Sequence, residues 1–349
     1  MKLSRLIPPI LAAIAAAMAS CHSVDKWDND PEGNFDALWT IIDRHYCFLD
    51  EKGIDWDSIY SEYRPRVTPE TNSVDLFKIC AAMLDELRDG HVNLTGYYAT
   101  SYYKKWWSDY PQNYDNRLVD QYYMHFEGLT RNGLTYYILR DSVAYVRYPS
   151  FSYTPGENTL DWMLAILSKC PAMVIDIRDN GGGNLSNVEA IGRRFISRRT
   201  LAGYITHKTG PGHNDFSEPY AYYFEPVAGR VAWYKPVVVL TNRSTFSAAN
   251  NFASFMHSLA DVELVGDRTG GGSGIPFNSE IPCGWSVRFS ASPVYDAKMR
   301  STEFGIDPDV KVDLDPELAI KGTDTMLETA IDRALSMSAS PNNHPTSRR

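Results

Sequence analysis

A serine, a histidine, a glycine turn and a carboxylate stand far apart in this chain, and brought together they could run acyl-transfer chemistry. Ser247 lies in the run Asn242-Arg243-Ser244-Thr245-Phe246-Ser247-Ala248-Ala249-Asn250. The apolar stretch Val237 to Leu240 before it reads as a strand, and Phe252, Phe255, Met256 and Leu259 after it repeat as one helix face. A serine at such a junction meets free backbone N–H groups and the positive end of a helix dipole. Both suit a nucleophile whose product is an oxyanion. The position also suits a serine that only caps the helix.

Ile175 to Asn184 supplies a second piece, a buried strand running through Asp176, Arg178 and Asn180 into Gly181-Gly182-Gly183 and a helix. Glycines let a backbone approach a substrate closely, and their N–H groups can converge on one point. That arrangement serves an oxyanion hole. A phosphate cradle is disfavoured, because the lysine and Ser/Thr of a P-loop are missing. The third piece is Leu87-Arg88-Asp89-Gly90-His91-Val92. A serine hydroxyl needs a base, and histidine is tuned for that near neutral pH. His91 could equally be a plain C-terminal cap. The fourth is Glu303, in Ser301 to Asp309, which could orient a histidine or a water, or simply be a solvated loop carboxylate.

Stepping outward, the hydrophobic period assigns elements that could position these groups. Phe35, Leu38, Trp39, Ile42 and Tyr46 share a helix face; Trp56 to Tyr63 and Ser73 to Leu87 form two more helices. Residues 35–94 therefore read as a small N-terminal helical domain. Residues 95–142 crowd Tyr and Trp with few aliphatics, either a ligand platform or an irregular satellite core. Strand and helix patterns alternate over residues 143–337, which argues an α/β core. Strands are expected at 143–148, 173–177, 203–207, 220–224, 237–240 and 262–265, with a short one at 287–289. Helices are expected at 160–167 and 184–196, and a last one carries Met326, Leu327, Ile331 and Leu335. Residues 338–349 read as a disordered tail.

The N-terminus carries Lys2 and Arg5, an Ala-rich apolar run, and Met18-Ala19-Ser20-Cys21. That order is a secretory signal over residues 1–20, too short for a good spanning helix. Residues 21–34 read as a polar tether. The net charge of -9 and the lack of a basic cluster argue against nucleic acid as partner. The eight histidines and the cysteines beyond Cys21 (Cys47, Cys80, Cys170, Cys283) show no metal-ligand spacing, so no metal or cofactor is expected. Export permits disulfides, and buried free thiols fit the pattern as well.

Together these residues resemble the tail-specific (C-terminal processing) serine peptidase family. The carrying motifs are Asp-x-Arg-x-Asn-Gly-Gly-Gly at Asp176 to Gly183, the Ser-Ala-Ala helix start at Thr245 to Ala249, Val-Gly-x-x-Thr-Gly at Val265 to Gly270, and Gly-Ile-x-Pro-Asp at Gly305 to Asp309. Cys21 after small residues resembles a bacterial lipobox. The resemblance implies a ClpP/crotonase-like core sheet, a polypeptide substrate, and a lipid-anchored protein of the bacterial cell envelope. Many members use a lysine base in a turn that here reads Thr269-Gly270-Gly271-Gly272-Ser273, with Gly272 where the lysine would stand. The chain is closer to the tricorn-like branch, which implies His91 as base and Glu303 as the acidic member. The interval from His91 to Val143 is too short for a peptide-gripping PDZ domain.

The mechanism this implies has Ser247 attacking a carbonyl, His91 moving the proton, and Glu303 orienting His91 or the water. Ala248 and a glycine of the 181–183 turn, Gly182 first and Gly181 next, hold the oxyanion. A different class of reading keeps the fold as a catalytically inactive envelope lipoprotein that binds peptide, glycan or an apolar ligand. A third has the same groups hydrolysing a non-peptide ester.

Overall fold

A computed structural model describes residues 26–140 and 142–339. The expected signal, Cys21, the start of the tether and residues 340–349 lie outside the described residues. Three helices open the fold: α1 (Pro31–His45), α2 (Trp56–Tyr63) and α3 (Ser73–Asp85). Each starts on a side chain that accepts backbone N–H bonds, Asp30, Asp55 and Asn72 respectively. Then come β1 (Asn93–Thr95), two short helices α4 (Lys105–Ser108) and α5 (Asn116–Tyr122), and the strands β2 (Leu129–Arg131), β3 (Leu134–Leu139) and β4 (Val143–Arg147). The chain continues through α6 (Glu157–Leu167), β5 (Ala172–Asp176), α7 (Leu185–Gly192), β6 (Thr200–Ile205), β7 (Tyr220–Phe224), β8 (Val237–Thr241), α8 (Ala248–His257) and β9 (Val262–Gly266). It ends with β10 (Gly274–Glu280), β11 (Ser286–Tyr295), β12 (Val310–Lys311), α9 (Pro316–Ile320) and α10 (Thr325–Ala339).

The main sheet has seven strands in the order β12-β9-β8-β5-β4-β3-β2. From β12 to β4 neighbouring strands run parallel; β3 and β2 add an antiparallel edge. Strands β5 and β8 are buried at every residue, which is why both read as unbroken apolar runs. One face packs against α6, α7 and α8 through Leu160, Val188 and Phe252; the other meets Met326, Leu327 and Ile331 of α10. This is the mixed α/β architecture the sequence leads one to expect, with a helical segment ahead of it.

A second, antiparallel sheet runs β1-β11-β6-β7, with β10 also paired to β11. Val287 and Phe289 of β11 share one core with Phe35, Leu38 and Met83 of the N-terminal helices. Late strands thus complete the core of the first helices, and β1 is stitched to β11 just beyond His91.

Several boundaries differ from the sequence reading. The strand expected at 287–289 is ten residues long and forms a hairpin with β10. Pro276 and the polar residues of β10 hide that strand from periodicity; the register shifts at Ile275/Pro276, where a bulge accommodates the proline. The helix expected through Ile196 stops at Gly192 and tightens into a 3-10 turn at Arg193–Phe195. The strand expected at 203–207 starts at Thr200, and the last helix runs through Ser338 to Ala339. Among the described residues no helix is long and apolar enough to cross a membrane. Cys47, Cys80, Cys170 and Cys283 are free thiols.

Candidate active site

Strand β8 leads through Asn242 to Phe246 into α8, and Ser247 sits at the junction with φ 57 and ψ -121. A non-glycine residue in such a region costs about 1–3 kcal/mol and persists only where neighbours over-determine it. They do so here. Ser247 N–H donates to the Gly271 carbonyl at 2.8 Å, and Phe246 N–H to the Asn180 carbonyl at 3.0 Å. Gly182 (φ 97) lies directly beneath, so close that a Cβ there would stand 2.8 Å from Ser247 Cβ and 2.9 Å from Ala248 N. The Ser247 side chain makes no capping bond to α8. Its Oγ instead lies 2.8 Å from His91 Nε2.

His91 follows the end of α3 and is buried. Its main-chain N–H donates to Asp89 Oδ1 at 2.7 Å, and its ring leans on Phe246 with centroids 4.8 Å apart. Burial pulls the imidazole down to about 4; Asp89 opposes this, while Arg288 and Lys52 add to it. The ring is therefore neutral at pH 7 and able to accept a proton. Its Nδ1 is buried and meets no hydrogen-bond partner among the described residues.

Glu303 is buried in the same region but is bonded elsewhere. Its Oε1 contacts Lys52 Nζ at 2.9 Å, and its Oε2 accepts from Ser273 N–H at 2.8 Å. Burial and the nearby Asp89 push this carboxyl up to about 7, against the pull of Lys52. Asp89 accepts from Tyr46 Oη at 3.0 Å and Ser290 Oγ at 2.8 Å. Burial opposes its charge, yet Lys52 and His91 hold it below the usual carboxylate range. Sequence reasoning quoted Asp89 only as part of the histidine motif, read Tyr46 only as one residue of a helix face, and missed Lys52 altogether. A carboxylate two residues before a candidate base was a usable signal for Asp89; a lone lysine in Leu49 to Gly53 offered none.

The glycine turn is held by its polar residues. Arg178 is fully buried between Asp176 (2.6 Å) and Asp324 (2.9 Å), and Tyr145 donates to Asp176. Asn180 donates from Nδ2 to the Tyr148 carbonyl and accepts the Gly182 N–H on Oδ1 at 3.0 Å. Gly182 is thus already committed as a donor, which corrects its place as first choice for the oxyanion; its observed part is steric. The Ala248 and Gly181 N–H groups are not engaged by any described residue.

Trp106, from the aromatic segment, stacks on Phe246 at 4.1 Å and touches Gly90 and Gly270. Arg243 ties it down by donating from Nε to the Trp106 carbonyl at 2.7 Å. The segment thus forms an apolar wall beside the Ser247–His91 pair. A cavity of about 580 Å³ is lined by Tyr114, Arg147 and Tyr153 and by Arg178 and Asp179 at the start of the glycine turn. Among the described residues no cluster could hold a metal ion.

The chain is similar to known peptidases in sequence and fold. The profile of Peptidase family S41 matches residues 142–312, and that of the Tricorn protease C1 domain matches residues 28–85. A crystal structure assigned to a peptidase of Parabacteroides merdae ATCC 43184 is 45% identical, with a TM-score of 0.84 over 88% of this chain and 98% of the other. A Tricorn-like protease C-terminal subunit assigned in Sulfurisphaera tokodaii is 25% identical over 56% of this chain and 21% of its own length. The carboxy-terminal processing protease CtpA of Bacillus subtilis is 25% identical over 50% of this chain and 36% of its own length. The chain therefore spans between a fifth and two fifths of these two curated relatives.

Proposed function

This chain belongs to peptidase family S41, and we propose on that basis that it is a serine-type peptidase using a Ser247–His91 pair. Ser247 Oγ attacks a scissile carbonyl while His91 Nε2 takes its proton and later returns it to the leaving amine. The observation that carries the reading is the 2.8 Å contact between those two atoms, made by a neutral, buried imidazole. Ala248 and Gly181 N–H groups are the oxyanion donors left free by the turn; losing one costs about 3 kcal/mol of transition-state stabilisation. Glu303 acts beside the base rather than on it, through Lys52 and the Ser273 turn. The substrate is a polypeptide chain that meets the Trp106–Phe246 wall. The lipobox-like Cys21 supports anchoring in the bacterial cell envelope.

The test is to incubate the protein from Ser23 onward with a diverse peptide library and read new termini by mass spectrometry. Termini that vanish with Ser247→Ala support the peptidase, and their positions show whether cleavage tracks the C-terminus. One observation favours a second reading, a non-catalytic peptide-binding protein: among the described residues no carboxylate reaches His91 Nδ1 to orient the ring. Retained peptide affinity without Ser247-dependent termini would select it.

A further inference from the structure

We infer that Lys52 is a positioning residue of this site, its ammonium bridging Asp89 and Glu303 and fixing the Asp89 carboxylate beside His91. The inference rests on the Ser247–His91 reading.

Lys52 comes from the turn after α1, held by Lys52 N–H to the Phe48 carbonyl and Ile54 N–H to the Leu49 carbonyl. Its side chain is only 6% exposed. Nζ lies 2.9 Å from Glu303 Oε1 and 3.8 Å from Asp89 Oδ2. It also donates to the Leu87 and Arg88 carbonyls at 3.4 and 3.3 Å, at the approach to His91. The rings of Tyr46 and Phe48 cover it at 5.8 and 5.6 Å. An ammonium is tolerated at such depth only when paired and hydrogen-bonded. Here the pairing is double, and it joins a turn of the N-terminal helices to the 301–305 loop.

Asp89 is held ionised while Glu303, pushed up to about 7, shares its proton near neutral pH, so the negative charge that acts on His91 is that of Asp89. An imidazolium formed during proton transfer would meet that charge. Without Lys52 the two carboxylates lose their shared counter-charge, and Asp89 acts on His91 unopposed by that cation. The charged and titratable groups facing the cluster are Tyr46 and Cys47 before the turn, Asp89 and His91 beyond α3, Tyr103 of the aromatic segment, Arg288 on β11, and Glu303. Burial opposes the Lys52 charge, yet Asp89 and Glu303 hold the ammonium above its usual range, so it is no base. The Glu303 carbonyl also accepts from Gly272 N–H, so Lys52 stands one carboxylate away from the Gly272 turn. A lysine from another part of the chain has reached the neighbourhood of the turn that lacks one.

The test compares Lys52→Met and Lys52→Arg by two readouts: the pH dependence of Ser247-dependent cleavage, and the His91 titration midpoint from NMR of histidine-labelled protein. Removing a cation near an imidazole raises its midpoint. Lys52→Met should move the His91 midpoint and the acid limb of cleavage upward together, and lower kcat roughly tenfold with KM little changed. Lys52→Arg should restore both. An equal loss of activity at every pH with an unmoved midpoint would make Lys52 a structural tie and overturn the inference. If Lys52→Met does not fold, Lys52→Gln, which keeps a donor without the charge, gives the same two readings. If the unmodified protein shows no Ser247-dependent cleavage, the peptidase reading fails, and the midpoint still decides the part played by Lys52.

Discussion

Asp179 and Asn242 exchange two hydrogen bonds: the Asp179 N–H donates to Asn242 Oδ1 at 2.9 Å, and Asn242 Nδ2 donates to Asp179 Oδ1 at 2.7 Å. One residue opens the glycine turn and the other opens the serine loop. The two halves of the site, which arrive on adjacent parallel strands, are thereby clasped at their roots.

Removing the clasp should loosen both halves. Asn242→Ala deprives the exposed Asp179 and the buried Asn113 of their shared partner, a loss of about 0.5–1.5 kcal/mol for such hydrogen bonds. Denaturant melts should show a loss in that range, and cleavage should fall more steeply than stability. A variant with full activity would show that the turn holds itself.

The strained backbone at Ser247 separates stability from chemistry. Ser247→Ala and Ser247→Gly should both abolish cleavage. Glycine tolerates φ 57, whereas alanine keeps the strain, so Ser247→Gly should be the more stable of the two by about 1 kcal/mol. Equal midpoints in thermal unfolding would remove the claim of strain.

Two neighbouring glycines should respond oppositely. A Cβ on Gly182 would meet the Phe246 carbonyl oxygen at 2.8 Å, while nothing lies within 4 Å of one on Gly181. Gly182→Ala should displace Ser247 and end cleavage, with a clear loss of stability. Gly181→Ala should leave stability within about 0.5 kcal/mol. Comparable destabilisation by both would contradict the close approach.

The two shifted groups predict opposed pH effects. His91 titrates at about 4 when folded and near 6.5 when unfolded, so the unfolded chain binds more protons between those values and stability rises with pH there. Glu303 titrates at about 7 when folded and near 4.5 when unfolded, so its contribution to stability falls as pH rises through that window. Each is worth about 3 kcal/mol, and they offset between pH 4.5 and 6.5. Glu303→Gln should unmask the His91 slope in urea melts across that window. Cleavage should drop in two steps on acidification, near 7 and near 4, with the upper step absent in Glu303→Gln. A single step unmoved by that substitution would detach Glu303 from catalysis.

The strand–turn–helix runs around Gly182 and Ser247 were legible because each is local: a buried strand, glycine punctuation and a periodic helix follow one another directly. The pairing of His91 with Ser247 was raised by chemical need and sharpened by the resemblance, since nothing local joins a loop after α3 to the start of α8, 156 positions on. Lys52 was invisible for the same reason; its meaning lies in Glu303 and Asp89, and its own surroundings read as a polar turn. The Gly182 donor was misjudged because a side chain two residues earlier, Asn180, takes that N–H, and composition cannot show where an amide points.

The shared core of the first helices and β11 has a temporal consequence. The segment that carries His91 is made well before its support: Ser290 must be present to bond Asp89, and Val287 and Phe289 to complete the core beside it. Glu303 comes later still. A growing chain therefore carries Ser247 and His91 before the residues that hold His91 in place exist, and the proposed pair closes only once residue 303 has been made.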